Sequence, residues 1–140
     1  MRKIDDGRIF RIIDANLNRT KEGLRVCEDV ARFIFDNQKV TAEYKKVRHA
    51  LASLTAACGT NTKSLICCRE IEKDVGRKST PVEFKRENAR DIFYANSQRA
   101  KESIRVLEEF TKLTSSKNAE EFKKLRYRIY ALEKDIVKKF

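Results

Sequence analysis

The sequence predicts an all-α protein, an antiparallel four-helix bundle built from two duplicated helical hairpins with a long central connection. Three observations predict it. Glycine is scarce (4 in 140 residues) and proline occurs once, so few positions interrupt a helix. Charged residues make up 38% and alternate with apolar ones at three- and four-residue spacing, the period of an amphipathic helix. Finally, ANLNRTKEGLRVCE at 15–28 returns as ANSQRAKESIRVLE at 95–108, with 8 positions identical and most of those polar.

The duplication extends further. EYKKVRH at 43–49 returns as EFKKLRY at 121–127, so each copy is a pair of helices. Two copies are too few for a solenoid, which needs about three to bury its faces. Two hairpins instead cover each other about an approximate two-fold axis. A chain of 140 residues fits one domain, with repeat one at 6–58, an inter-repeat segment at 59–80 and repeat two at 81–140.

The first helix is expected at 6–37, opening near Asp5 or Asp6, whose carboxylates suit a helix N-terminus. Its apolar stripe runs through Ile9, Ile12, Ile13, Leu24, Cys27, Val30, Ala31 and Ile34. Thr41 is the expected cap of a second helix at 41–58, ending before Gly59. The stretch 59–79 has no counterpart within either repeat and should lie across one end of the bundle. Within it, Ser64 to Cys68 reads as a short strand or turn, and Asp74-Val75-Gly76 as a tight turn. Thr80, Pro81 and Glu83 form a capping box that opens a third helix at 81–113. Thr114 to Asn118 breaks the pattern, and Asn118 with Glu121 opens a fourth helix at 118–138.

Composition narrows the function classes. No segment approaches the roughly 18 apolar residues of a membrane span, and the first six residues run into acid instead of a signal-peptide apolar stretch. A cytoplasmic protein is expected. Cys27, Cys58, Cys67 and Cys68 show no CxxC pairing and read as small apolar residues. The net charge of +11 suits nucleic acid, anionic metabolites or simple solubility, but the cations are spread over every helix and mixed with 21 acids, unlike the basic stripe of a nucleic-acid binder.

Several polar side chains fall on apolar stripes. Asn16 shares the face of Ile12, Gly23 and Cys27, and Asn96 that of Ile92, Ser103 and Leu107. A buried amide needs partners, found either in a helix-register contact or in a ligand held beside the small residues Gly23 and Ser103. Arg48 lies on the stripe of Tyr44 and Leu51, and Arg126 on that of Phe122 and Ile129. An inward arginine needs an anion, either a buried carboxylate or a bound phosphate. Arg19, Glu22, Arg99 and Glu102 sit at the stripe edge, where they suit a salt-bridged surface or a cleft. His49, the single histidine, reads as a packing or surface residue or a base beside Arg48, and Tyr127 at its repeat position weakens the base.

Asn16, Asn18, Arg19, Glu22, Gly23, Arg25, Glu28, Asp29, Arg32 and Phe33, then Arg48-His49, Arg69 and Asp74-Val75-Gly76, then Asn96, Arg99, Glu102, Arg105 and Glu108-Glu109 together resemble one family over nearly the whole chain. It is the helical domain at the N-terminus of some bacterial thiamin-phosphate synthases. The resemblance implies a role in making thiamin, as a non-homologous hydroxymethylpyrimidine-phosphate kinase that uses ATP and Mg2+ on a small phosphorylated pyrimidine. The synthase barrel of fused members has no counterpart in these residues, so the coupling reaction is not expected here. Asp74 and Arg69 would be catalytic. Asn16, Arg19, Glu22, Arg48, His49, Gly76, Asn96, Arg99, Glu102 and Arg126 would bind substrate and phosphate, and Asp74, Glu22 and Glu102 would hold the metal. The alternatives are a non-catalytic helical module that docks on a separate thiamin-phosphate synthase and a basic RNA-binding domain; a homodimer is also left open.

Overall fold

In the computed structural model, which describes residues 6–140, every regular element is helical. The all-α expectation holds. The four long helices are α1 (Asp6–Asp29), α2 (Gln38–Ala57), α4 (Ala89–Thr111) and α5 (Ser116–Val137). Between the hairpins lie the short α3 (Thr62–Cys67) and a 3-10 turn at Pro81–Phe84. Asp5, the other expected helix start, lies outside the described residues. Among those described, no helix is long and apolar enough to cross a membrane.

Helix boundaries depart from the sequence expectation, each for a local reason. The first helix does not reach 37: it widens into a π-helical turn at Val30–Ile34, and Asp36 then turns the chain with φ 48°. The duplication accounts for this. Glu28 and its ion-pair partner Arg48 are 20 residues apart, whereas Glu108 and Arg126 are 18 apart. The wide turn and the left-handed residue take up the surplus of repeat one.

Asn37, not Thr41, caps α2, accepting from the Val40 amide at 3.0 Å, while the Thr41 hydroxyl donates to the Asn37 carbonyl at 2.7 Å. Ser64 to Cys68 is neither strand nor turn alone. Asn61 caps the Ser64 amide at 2.8 Å, and Leu65, 4% exposed, anchors a helical turn against α1. The Thr80 capping box yields only the 3-10 turn, because no side chain of Pro81–Phe84 is buried and a helix in water needs a packed face. The third long helix starts eight residues later than expected, at Ala89, where Asn88 accepts from the Asp91 amide at 2.9 Å. Ser115 displaces Asn118 as the cap of α5, accepting from the Asn118 amide at 3.1 Å.

The packing of the long helices is antiparallel in each contact. Along α1, Thr20 meets Ser103 at 2.7 Å and Cys27 reaches the Phe93 carbonyl at 4.0 Å, so rising numbers on α1 face falling numbers on α4. Ser97–Glu133 and Glu108–Arg126 order α4 against α5 the same way. Arg48 ties α2 to Glu28 of α1, and α2 also packs on α5, which closes the ring around Leu24, Tyr44, Leu51, Ile104 and Ile129, all fully buried.

The duplication recurs in bonds as well as in letters. Asn16 donates to the Ile12 carbonyl and Asn96 to the Ile92 carbonyl, both at 2.8 Å. Arg25 pairs with Glu28, and Arg105 with Glu108. What breaks the symmetry is the inter-repeat segment: α3 and the chain after it lie along the first half of α1.

Candidate functional site

That asymmetry makes a groove of about 590 Å³ between α1 and residues 69–77. One wall is a single face of α1, where Arg8, Arg11, Ala15 and Arg19 follow at three- and four-residue spacing beside Asn16. The other wall carries Arg69, Glu70, Ile71, Asp74 and Arg77. Five arginines therefore line one groove.

The most fully bonded of them is Arg69. Its Nε donates to Asp14 Oδ2 at 2.6 Å and its Nη2 to Oδ1 at 2.9 Å, a bidentate fork on a buried carboxylate. The hydrogen bonds to Asp14 raise the guanidinium pKa above its ordinary value. Asn16 Nδ2 donates to the Ile12 carbonyl, and its Oδ1 accepts from Arg19 Nη1 at 3.3 Å, so the amide is held and aims Arg19. Arg8 and Arg11 form no ion pair among the described residues, and Arg77 reaches Glu72 at 3.6 Å on the exposed rim. Asp74 enters the groove while its Oδ1 accepts from the Gly76 amide at 3.0 Å, an Asx turn. A Cβ at Gly76 would meet only that oxygen, at 3.7 Å, so Gly76 is not demanded by space.

The groove thus gathers Asn16, Arg19, Arg69, Asp74 and its neighbour Gly76 from the expected set. The others lie elsewhere. Arg48 and Arg126 do point inward, but to carboxylates: Arg48 Nη2 meets Glu28 at 3.0 Å, and Arg126 Nε meets Glu108 at 3.1 Å, with both acids buried. Of the two anions open to an inward arginine, the partner in this structure is the buried carboxylate. Glu28, the anion that Arg48 holds, lies nine residues beyond Arg19 on α1, about 13 Å along the axis, and Arg19 turns instead to Asn16 at 3.3 Å. Asn96 is half-buried, Arg99 is exposed, and exposed Glu102 accepts from Gln98 at 2.9 Å. Glu22 and His49 are exposed on α1 and α2.

No group of three or more acids, histidines or cysteines fit to hold a metal occurs among the described residues, so Asp74, Glu22 and Glu102 are not brought together as ligands. A groove with a cationic wall fits phosphate oxygens, not a resident metal ion. Arg8, Arg11, Asp14 and Arg77 were missed by the sequence reading. The face shared by Arg8, Arg11, Ala15 and Arg19 was a usable signal; the pairing of Asp14 with a residue 55 positions away was not.

The ThiD2 family matches residues 11–135, which takes in α1 through most of α5 and both walls of the groove except Arg8. The chain belongs to the ThiD2 family. It is 40% identical over 130 residues to a thiamine-phosphate synthase of Synechocystis, covering 92% of this chain and 36% of the relative. Thiamine-phosphate synthases of Thermosynechococcus vestitus (39% over 127 residues, 90% of this chain, 34% of the relative) and Nostoc punctiforme (36% over 130 residues, 92% and 35%) match similarly. This ThiD2 chain therefore spans about a third of the length of those relatives. No solved structure matches it.

Proposed function

We propose that this ThiD2 chain acts in thiamin biosynthesis as a hydroxymethylpyrimidine-phosphate kinase, transferring the γ-phosphoryl group of ATP to a small pyrimidine phosphate. The arginine groove carries the reading. Phosphoryl transfer asks a protein for positioning and for cations on the transferred group more than for covalent chemistry. An oxygen of the acceptor phosphate forms the new P–O bond as the bond from the γ-phosphorus to the ADP oxygen breaks, giving a pyrimidine diphosphate and ADP. Arg69, fixed by Asp14, and Arg19, steered by Asn16, face the oxygens on which negative charge is spread. Asp74 stands across from α1, where its free carboxylate oxygen orients the acceptor. Mg2+ arriving with the nucleotide would neutralise phosphate charge, and no protein step depends on a resident ion.

The assay incubates the protein with ATP, Mg2+ and hydroxymethylpyrimidine phosphate and follows the diphosphate by phosphorus NMR. Product from the wild type is expected, with turnover falling about tenfold to a hundredfold in Arg69→Met, the loss of one or two charge-assisted bonds. A wild type that makes no product ends the kinase reading. A folded, fully active Asp74→Asn removes only the role of Asp74.

A second reading rests on a different observation. Residues 69–88 are exposed throughout and carry Ile71, Val75, Val82 and Phe84, at 64 to 104% exposure. Apolar side chains left in solvent on one segment suit a module that docks on a separate thiamin-phosphate synthase. Co-elution with such a synthase, lost in Val82→Asp combined with Phe84→Asp, would support it.

A further inference from the structure

At one end of the bundle, the first turns of α1, the ends of α2 and α4 and the start of α5 surround a second cavity, of about 390 Å³. Its apolar wall includes Phe10, Ile13, Leu107, Phe110 and Phe122. It opens on the Ile9 and Ile13 side of α1, whereas Arg8, Arg11 and Ile12 face the arginine groove, and the helix separates the two. The volume falls within the roughly 300–1,000 Å³ of small-molecule sites.

The duplication supplies a reference for this cavity, because the other end of the bundle is its twin. Ile13 corresponds to Phe93, Leu107 to Cys27, Phe110 to Val30 and Phe122 to Tyr44. At that end Cys27, Val30, Tyr44 and Phe93 are all buried, and an aromatic ring occupies the space: Phe140 lies 5.9 Å from the Phe93 ring and 5.0 Å, edge to face, from Phe35. The counterpart of Phe140 is Thr62, which begins α3 and is exposed, so the position that supplies the plug at the twin end supplies no ring here, and Phe10 of repeat one belongs to the cavity wall. One end is plugged and, among the described residues, the other is open.

From this we infer that the open cavity binds the planar ring of a small ligand where the twin end places Phe140. Polar groups at its mouth narrow the class. The Thr55 hydroxyl donates to the Leu51 carbonyl at 2.8 Å, Thr60 to the Thr55 carbonyl at 3.0 Å, and Thr114 to the Thr111 carbonyl at 3.2 Å. Each proton is committed, which leaves oxygen lone pairs as acceptors. Among the described residues no lysine or arginine lines the cavity, and the Asp6 carboxylate does. Hydroxyl acceptors and a carboxylate together select a heteroaromatic ring that carries N–H donors and no negative charge, as a nucleobase does, and not a phosphate. The site stands independently of the kinase reading.

The test titrates the whole protein with adenine and with indole and follows the amide resonances of Gly59, Thr60 and Thr114. Saturable shifts at those amides are expected, absent with inorganic phosphate and weakened roughly tenfold or more in Thr114→Trp, whose indole would close the mouth. Circular dichroism checks that the variant folds. As a readout that needs no variant, adenine should slow alkylation of half-buried Cys58, which lines the cavity, and leave exposed Cys67 unaffected. Shifts that do not saturate, or equal protection of both cysteines, would overturn the assignment.

Discussion

Gly23 sets how closely the two halves of the molecule approach. A Cβ there would stand 2.7 Å from the Asn96 carbonyl oxygen and 3.4 Å from the Ala100 Cβ, so α1 and α4 touch through backbone at this point. Its repeat counterpart Ser103 uses its hydroxyl instead, bonding Thr20 at 2.7 Å and the Arg99 carbonyl at 2.6 Å. Intrinsic propensity would favour Gly23→Ala by up to about 1 kcal/mol. Overpacking against backbone opposes it and is the larger effect, about 1 to 3 kcal/mol. Urea denaturation should therefore show a net loss of stability, and a gain would mean that the helices part at no cost. At this scale the sequence was informative where the repeat marked a residue, as with Asn16, Gly23 and Asn96. It was silent on Asp14, whose repeat counterpart is Tyr94 and whose partner Arg69 comes from the unduplicated segment.

Helix ends were the least legible elements. Each expected start lay near a sound capping residue, but the chain offered several and packing chose among them. Thr80-Pro81-Val82-Glu83 has the local signature of a helix N-terminus and nothing to bury, so it stays a single 3-10 turn, with the Thr80 hydroxyl 3.5 Å from the Glu83 carboxylate. Asn88 precedes a helix with eight buried side chains and caps it. The two sites should respond differently to one substitution. Asn88→Ala is expected to cost about 0.5 to 2 kcal/mol, the loss of a working cap, whereas Thr80→Ala should stay within about 0.5 kcal/mol. Equal losses in thermal unfolding would show that residues 80–84 contribute to the cooperative fold. The short α3 was missed for the converse reason: its stability rests on one buried leucine, Leu65, too little apolar periodicity to read as a helix.

For the molecule as a whole, the duplication recurs in the bonds that the two hairpins share, while the candidate groove lies where the copies differ. The two inward ion pairs, Arg48 with Glu28 and Arg126 with Glu108, belong to what is shared and hold each hairpin together. Thr20 lies opposite Ser103, so Glu28 and Glu108 are about 20 Å apart along the α1–α4 pair. Arg48→Met and Arg126→Met each leave a buried carboxylate with only its half-exposed neighbour, Arg25 or Arg105, and each should cost about 1 to 3 kcal/mol. At that separation the losses should add to within about 0.5 kcal/mol in the double variant. Phosphate affinity, measured by calorimetry, should not change in either variant, because neither guanidinium lines the groove; it should fall in Arg69→Met, which removes the Nη1 donors that Asp14 leaves free and bares the Asp14 carboxylate to the anion. If Arg48→Met weakened phosphate binding and Arg69→Met did not, the anion site would belong to the shared core and not to the asymmetric groove, and the division of labour between duplication and insertion would be reversed.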